Sequence, residues 1–168
     1  MSGSDALVTE AFREHREALV RYVARFTGDP DLAEDVVQET LLRLRDRPPA
    51  DTSHVRGWLF TVATNLARDA LKVSRRRLML VRGAGDRLPH ADPPPDPATA
   101  LERAEVRRRV RLALDRLSVK ERTMLLMREE GFTHREIAEA IGTTTKSVGT
   151  MLARAIDKVG RALESERL

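Results

Sequence analysis

The chain has 168 residues, of which 41% are hydrophobic, 33% charged and 4% aromatic, with a formal net charge of +4 and a pI of about 10.1. It has no cysteine, which excludes disulfides, thiolate catalysis and zinc sites built on cysteine. No apolar run approaches the ~18 residues of a membrane span, and the N-terminus lacks the basic and apolar segments of a secretory signal. We therefore expect a soluble cytoplasmic protein, and the abundance of Ala, Leu, Arg and Glu is typical of an all-α fold.

Two amphipathic helices are predicted at the start of the chain. Gly28 ends the first, because glycine readily takes the positive φ of a helix C-terminus. Asp29 and Pro30 then form the N-cap and first residue of the second helix, which extends to about Arg45. The residues of the first helix that we expect to face the core are Leu7, Val8, Phe12, Leu19, Val23 and Phe26.

The N-terminal half of the second helix is acidic. Its first carboxylates stabilise the helix dipole, but the dipole does not account for the later ones. Four residues recur at positions i, i+3, i+4 and i+7, so they form one exposed stripe that a basic helix of a partner would fit. This acidic stripe consists of Asp35, Gln38, Glu39 and Leu42.

A third helix is predicted from about His54 to Arg77, with one apolar side and one basic side. Trp58 and Phe60 lie near its start, so their rings are expected to stack on unpaired bases while the basic side contacts phosphates. For Trp58 taken alone, burial in the core is the favoured interpretation. The basic side carries Thr61, Asn65, Arg68, Lys72 and Arg75.

A segment rich in proline and glycine, VRGAGDRLPHADPPPDP, follows at residues 81–97. This composition predicts a flexible linker between two small helical modules, residues 1–80 and 98–168. The second module opens with a strongly basic helix, and a capping box of Ser118 and Glu121 begins the next one. The apolar side predicted for the basic helix consists of Leu101, Val106, Val110 and Leu114.

The stretch from Gly131 to Ala155 predicts two short helices joined by a tight turn. Thr133 and Glu136 form a capping box, Gly142 makes the turn, and Thr144 caps the second helix. Such a pair is typical of a helix-turn-helix, whose second helix enters the DNA major groove, although an ordinary helical hairpin fits the same pattern. Residues 101–168 carry 15 Lys and Arg against 11 Asp and Glu, while residues 1–80 carry 13 against 12, which favours DNA binding by the second module.

The sequence predicts no catalytic, metal or cofactor site. It contains no H-E-x-x-H, G-x-S-x-G or glycine-rich phosphate loop. The four histidines are scattered, and none has a second histidine four residues away: His15, His54, His90 and His134. We therefore do not expect an enzyme.

With both modules laid out, the chain resembles bacterial RNA polymerase sigma factors of the extracytoplasmic-function group. The resemblance rests on DLAEDVVQETLLRL (31–44), RGWLFTVATNLARDAL (56–71) and the segment from Leu114 to Ala155. It implies a region-two-like three-helix bundle and a region-four-like helix-turn-helix domain. It also implies that the first segment binds core RNA polymerase, the second opens and reads the minus-10 promoter element, and the third reads the minus-35 element.

The resemblance and the helix geometry together give candidate contact residues. For the polymerase they are those of the acidic stripe. For the melted minus-10 strand they are His54, Arg56, Trp58, Thr61, Asn65, Arg68 and Lys72. For the minus-35 duplex they are Arg135, Thr144, Thr145, Lys146, Ser147, Thr150 and Arg154.

The recognition helix departs from the family pattern, because Gly149 and Met151 stand where relatives commonly carry Lys and Arg. Fewer cations reduce phosphate binding, and a glycine inside a helix costs about 0.5–1 kcal/mol. Three explanations stay open: an unusual upstream element, a close approach of DNA to the backbone at Gly149, or weak binding by this module.

The function expected from the resemblance is that of a promoter-specificity subunit, which binds core polymerase and initiates transcription without catalysing a reaction. An anti-sigma protein is the expected inhibitory partner. The alternatives are a free-standing helix-turn-helix regulator acting on duplex DNA and an adaptor whose helices bind a regulator but no DNA.

Overall fold

The computed structural model describes residues 3–80 and 97–165, without the side chains of residues 78 and 97. Over these ranges the chain forms seven α-helices and one 3₁₀ turn and no strand, which confirms the all-α prediction. It divides into two compact units, Met1–Pro89 and His90–Leu168. The predicted linker lies outside the described residues except for its last position. None of the helices in these ranges is long and apolar enough to cross a membrane.

The first unit is a three-helix bundle in which each helix packs against the other two. Its helices are α1 (Gly3–Thr27), α2 (Pro30–Asp46) and α3 (Val55–Leu80), with the 3₁₀ turn at Thr52–His54. These bounds lie within three residues of the predicted ones. The bundle therefore follows from the three amphipathic patterns in the sequence.

The turn between α1 and α2 has the predicted chemistry. Gly28 has a φ of 75° and donates its N–H to the carbonyl of Ala24 at 2.8 Å. Asp29 caps α2, because its carboxylate accepts hydrogen bonds from Asp31 N–H (3.0 Å) and Leu32 N–H (3.1 Å). Two helices joined by so short a turn are antiparallel neighbours.

A buried aromatic cluster forms the centre of this bundle. The ring of Tyr22 lies 5.0 Å from that of Phe60 and 6.1 Å from that of Phe26. Thr64 donates its hydroxyl to the Phe60 carbonyl (2.7 Å), so the Tyr22 hydroxyl donates to Thr64 Oγ1 (2.7 Å). All three rings are fully buried. The expectation that Phe60 would stack on bases is therefore wrong, because its ring fills the core.

Phe12 was expected in the core, and this prediction is also wrong: its side chain is 51% exposed. In this part of α1 the buried residue is the neighbouring Ala11. Phe12 lies about 100° around the helix from Ala11, on the side towards α2. The rest of the predicted stripe agrees with the structure, since Leu19, Val23 and Phe26 are fully buried and only Phe12 is misplaced.

The second unit contains α4 (Pro97–Asp115), α5 (Val119–Glu129), α6 (His134–Ile141) and α7 (Thr145–Ser165). The long α7 packs against the other three helices, and α5 also packs against α6. The capping box at the start of α5 is present as predicted. Fully buried core side chains of this unit are Met124, Met127, Phe132, Ile137, Val148 and Ala155.

A buried arginine joins α4 to α5. Arg122 donates to the Leu114 carbonyl and to the Asp115 carboxylate, both at 3.2 Å, and Arg111 pairs with the same carboxylate at 2.8 Å. A buried charge that is paired and hydrogen-bonded tolerates burial, whereas removing its partner would leave it uncompensated. This network fixes the C-terminal end of α4.

The apolar side predicted for α4 is only partly buried. Leu114 is buried, but the other three residues expected there are between 40% and 75% exposed. The reason is the length of α7: Arg109 already reaches the carbonyl of Leu163 (2.9 Å), two residues before the described part of α7 ends. The N-terminal half of α4 therefore has no cover among the described residues of this unit. The three exposed residues are Leu101, Val106 and Val110.

Candidate nucleic-acid and polymerase interfaces

The helix-turn-helix is built by two local hydrogen-bonded caps and one glycine. At the start of α6, Glu136 accepts the Thr133 N–H (2.7 Å), and Thr133 Oγ1 accepts the Glu136 N–H (3.2 Å). Gly142 ends α6 with a φ of 67°, a conformation that favours glycine. Ile137 and Ala138 are buried. These features confirm the predicted geometry of the motif.

The start of the recognition helix α7 is fixed by Thr144. Its hydroxyl oxygen accepts the Ser147 N–H at 3.2 Å, and the two side-chain oxygens lie 2.8 Å apart. Two of the predicted DNA-contacting hydroxyls are thus bound to each other. Thr144 is exposed and Ser147 half-buried. Part of the hydrogen-bonding capacity of both hydroxyls is therefore used within this cap, and their role in DNA binding stays a prediction.

Beyond this cap, the predicted contact residues form one exposed face. Lys146, Thr150 and Arg154 are spaced four residues apart and are exposed, on the opposite side from buried Val148 and Leu152. Thr145 is exposed at the first turn. Arg135 of α6 is also exposed, and its guanidinium lies 3.5 Å from the carboxylate of Glu139.

Gly149 faces α6 rather than the centre of this exposed face. A Cβ built at position 149 would lie 3.8 Å from His134 Cε1 and 3.9 Å from His134 Nδ1, an ordinary contact distance. Met151 is half-buried on the other side of α7. The residues that replace the family's Lys and Arg therefore flank the Lys146–Thr150–Arg154 face.

The predicted minus-10 residues of α3 also share one face. Positions 58, 61, 65, 68 and 72 are separated by alternating steps of three and four residues, which places them along one side of a helix. Asn65, Arg68 and Lys72 are exposed, whereas Trp58 and Thr61 are half-buried. Thr61 donates its hydroxyl to the Gly57 carbonyl at 2.9 Å. We call this surface the α3 face.

Two residues of the same prediction lie elsewhere. His54 lies in the 3₁₀ turn, is 77% exposed, and approaches the Asp51 carboxylate at 3.8 Å. Arg56 lies over the ring of buried Phe60, with its guanidinium carbon 5.9 Å from the ring centroid. It is also close enough to α1 that its charge contributes, after the larger effect of burial, to lowering the pKa of His15. The structure therefore separates Arg56 from the α3 face.

The loop before α3 borders a cavity that the sequence did not reveal. Asp51 accepts hydrogen bonds from the Ser53 hydroxyl (2.6 Å) and N–H (2.9 Å), which hold the pKa of its carboxyl below the ordinary value. A cavity of about 240 Å³ opens between this loop and α1. Most of the cavity lining comes from α1, with one residue each from the 3₁₀ turn and from α3. Its lining residues are Leu7, Glu10, Ala11, Glu14, His15, Thr52 and Val55.

The acidic stripe of α2 is exposed along its full length. Asp35, Gln38 and Glu39 are exposed, as is 40% of Leu42, and Glu39 pairs with Arg43 at 2.9 Å. The opposite face of α2 is buried in the bundle. The predicted exposure is thus confirmed, while the role of the stripe in binding polymerase stays a prediction.

An exposed aromatic residue near this stripe was missed. The guanidinium carbon of Arg16 lies 5.5 Å from the centroid of the Phe12 ring, and Arg16 Nη2 contacts Glu34 Oε2 at 2.6 Å. The signal was present in the sequence, because Phe12 and Arg16 are four residues apart and therefore share a helix face. Assigning Phe12 to the core concealed it.

Comparisons with known proteins agree with the two-part organisation. The family model of Sigma-70 region 2 matches residues 11–77, and that of Sigma-70 region 4 matches residues 107–159. In fold, the chain is similar to the sigma factor RpoE from Bartonella quintana, solved in complex with the anti-sigma factor NepR. That likeness has a TM-score of 0.69 and 20% identity, and it covers 93% of this chain and 96% of the other.

Three relatives from Mycobacterium tuberculosis are similar over most of the chain. The ECF RNA polymerase sigma factor SigL is 34% identical over 90% of this chain and 85% of its own length. SigG is 36% identical and the probable factor SigI 32% identical, over 84% and 92% of this chain. The chain spans only 44% of SigG and 55% of SigI. With both region models matched in order and SigL matched over most of its length, the chain belongs to the ECF group of RNA polymerase sigma factors.

Proposed function

We propose that this chain is a promoter-specificity subunit, which binds core RNA polymerase and directs initiation at minus-10 and minus-35 elements. The observation that carries the proposal is the presence of two helical units, each with an exposed polar face, matched in order by the region 2 and region 4 family models. Residues 1–80 serve polymerase binding and the minus-10 element, and residues 98–168 serve the minus-35 element.

The second unit reads the minus-35 element as duplex DNA. Lys146, Thr150 and Arg154 form an exposed face on a helix whose start is fixed by a cap, as major-groove reading requires. Lys146 supplies a cation for guanine or phosphate, and Thr150 supplies a hydroxyl. The side chain of Arg154, two turns further on, contacts the DNA backbone.

The first unit acts on the melted minus-10 strand. Asn65 presents an amide with two donors and an acceptor, which suits a base edge, and Arg68 and Lys72 suit the adjacent phosphates. Trp58 is half-buried, so only part of its ring is available for stacking. Extruding a base costs a few kcal/mol, so polymerase must add its own contacts before the duplex opens.

Polymerase docks on the acidic stripe. Carboxylates and an amide on one rigid helix face complement a basic surface, and Leu42 adds an apolar contact. Such a subunit performs no chemistry of its own, requires no cofactor and works in the cytoplasm with the polymerase. The structural relative RpoE was solved with an anti-sigma factor. We propose a partner of that kind for this chain, covering its DNA and polymerase faces.

In vitro run-off transcription tests the proposal directly. The chain is mixed with core polymerase and a genomic promoter library, and the expected result is transcripts that share two upstream elements and disappear when the chain is omitted. Transcription equal to that of core polymerase alone would refute the proposal. Duplex binding without transcription would identify a free-standing regulator, and absence of both would leave the adaptor.

A further inference from the structure

Phe12 is an aromatic side chain held outside the core of the first unit. It is 51% exposed although a fully buried aromatic cluster lies in the same bundle. Single exposed apolar residues are common on protein surfaces, so exposure alone carries little weight. What distinguishes Phe12 is the contact of Arg16 with its ring, together with the ion pair that links Arg16 to α2.

Those contacts form a chain from α1 to α2. The Arg16 guanidinium lies over the Phe12 ring at 5.5 Å and also contacts the Glu34 carboxylate at 2.6 Å. The ring therefore has an ordering contact with a side chain that is itself paired to α2 before any partner binds. An aromatic side chain that is already ordered loses little conformational entropy on binding, which is the property of an interface anchor.

The position of Phe12 follows from the antiparallel packing of α1 and α2. Arg16 and Glu34 lie at the same level, since they form an ion pair. Phe12 is one turn before Arg16, and Gln38 is one turn after Glu34, so both are displaced in the same direction. Phe12 thus lies on α1 at about the level of Gln38 on α2, on the side where Arg16 meets Glu34, and Leu42 follows one turn further along the stripe.

We propose that Phe12 is the aromatic anchor of the polymerase-docking surface, inserting into an apolar patch of core RNA polymerase while the acidic stripe forms a charged border around it. This inference rests on the proposed function and adds a residue from α1 to a surface so far placed on α2 alone. Carboxylates mainly raise the association rate, and a buried aromatic anchor slows dissociation. Arg16 acts as a positioning residue.

The test measures binding of the full-length chain to core RNA polymerase by biolayer interferometry at fixed salt. Phe12→Ala is expected to weaken binding about 10- to 100-fold, mostly through faster dissociation, as truncation of an anchor does. Phe12→Tyr should bind within about twofold of the natural chain, because it keeps the ring. Val73→Ala is the matched control: Val73 is 49% exposed in the same unit, and its truncation should leave binding unchanged.

Arg16→Met tests the contribution of Arg16 separately from that of the Phe12 ring. It removes the cation and the Glu34 contact while keeping an unbranched apolar stem, and we expect a loss of about three- to tenfold with the association rate preserved. If Phe12→Ala lowers the melting temperature, Phe12→Leu replaces it, with the same expectation of faster dissociation. Binding of Phe12→Ala within twofold of the natural chain would overturn the inference.

The failure of this inference is distinguishable from failure of the proposed function. If the natural chain does not bind core polymerase at all, the proposed function falls and this inference with it. If charge reversal of the acidic stripe abolishes binding while Phe12→Ala binds normally, the docking surface stands on α2 alone and only the role of Phe12 is refuted.

Discussion

In the first unit, the exposed faces of α2 and α3 lie on long helices whose opposite sides are buried, so packing of the bundle positions the exposed residues. In the second unit, the residues around the recognition helix are positioned by short local devices. These are the Thr133–Glu136 capping box, the turn at Gly142 and the cap at Thr144. This difference indicates how each unit should respond to substitutions. Surface substitutions in the first unit should change binding and leave the fold intact, whereas turn substitutions in the second should change stability and binding together.

The largest effect is expected from charge reversal of the acidic stripe. Asp35→Lys with Glu39→Lys should weaken core polymerase binding by about 100-fold or more, because like charges then face a basic surface. The melting temperature should change little, since both residues are exposed. The control is Glu17→Lys with Asp69→Lys, the same charge change at other exposed positions of the unit. Unchanged co-purification of the Asp35/Glu39 variant with core polymerase would remove the assignment.

Two glycine substitutions seven residues apart should change the free energy of unfolding of the second unit in opposite directions. Gly142→Ala should destabilise it by about 1–2 kcal/mol, because alanine is strained at a φ of 67°. Gly149→Ala should stabilise it by about 0.5–1 kcal/mol, because position 149 is helical and a Cβ there makes only ordinary contacts with His134. Urea unfolding followed by circular dichroism measures both. A Gly142→Ala variant as stable as the natural chain would contradict the dependence of this unit on its turn, and a destabilised Gly149→Ala variant would contradict the prediction for that position.

Asn65→Ala tests whether a face of the first unit can be changed without loss of fold. Loss of a base-edge contact is expected to reduce promoter opening about tenfold, with little change in duplex binding or melting temperature. Permanganate footprinting of the polymerase complex measures opening. Ser74→Ala is the control, an exposed position about 180° around α3 from Asn65. Normal opening by the Asn65 variant would count against the α3 face as the minus-10 reader.

The sequence predicted best those features that depend on a few consecutive residues. The Asp29–Pro30 helix start, the Thr133–Glu136 capping box and the turn at Gly142 all follow from hydrogen bonds and backbone preferences within four residues. The acidic stripe was predicted for a similar reason. Its members needed only to face away from an apolar side that the sequence already marked clearly.

Tertiary packing decided the features that the sequence did not predict. Trp58 and Phe60 are two residues apart, and the choice of which ring enters the core depends on the position of Tyr22, a residue of another helix. Val106 is exposed because α7, over the residues that the structure describes, does not extend to it, and this depends on the lengths of two helices far apart in sequence. The half-buried Arg56 lies over the Phe60 ring, so its position also depends on which ring enters the core. Local periodicity contains none of this information.

Lys146→Ala should change DNA binding by the second unit, and in free energy this effect should be smaller than the loss of stability caused by Gly142→Ala. Loss of one cation is expected to weaken minus-35 duplex binding about three- to fivefold and to reduce the slope of log K against log salt by about 0.9. Fluorescence anisotropy at several salt concentrations measures both quantities. The control is Lys120→Ala, an exposed lysine in the first turn of α5. An unaltered affinity and slope would exclude a phosphate contact by Lys146.

The smallest effect concerns pH and a contact between α5 and α7. The Glu121 carboxylate is bound to Lys158 Nζ at 2.5 Å and also accepts the Ser118 N–H at 2.9 Å. The hydrogen bond from Lys158, and then that from Ser118, lower the pKa of Glu121 below its ordinary value of 4.5. Because the folded-state pKa is the lower one, the contact stabilises the second unit fully above pH 4.5 and is lost as the pH falls through the folded-state pKa.

Glu121→Gln keeps a cap for α5 but removes this titration. Its urea midpoint, followed by circular dichroism, should therefore fall less steeply than that of the natural chain between about pH 5 and pH 3. Parallel curves would show that Glu121 contributes nothing to the acid sensitivity of the second unit.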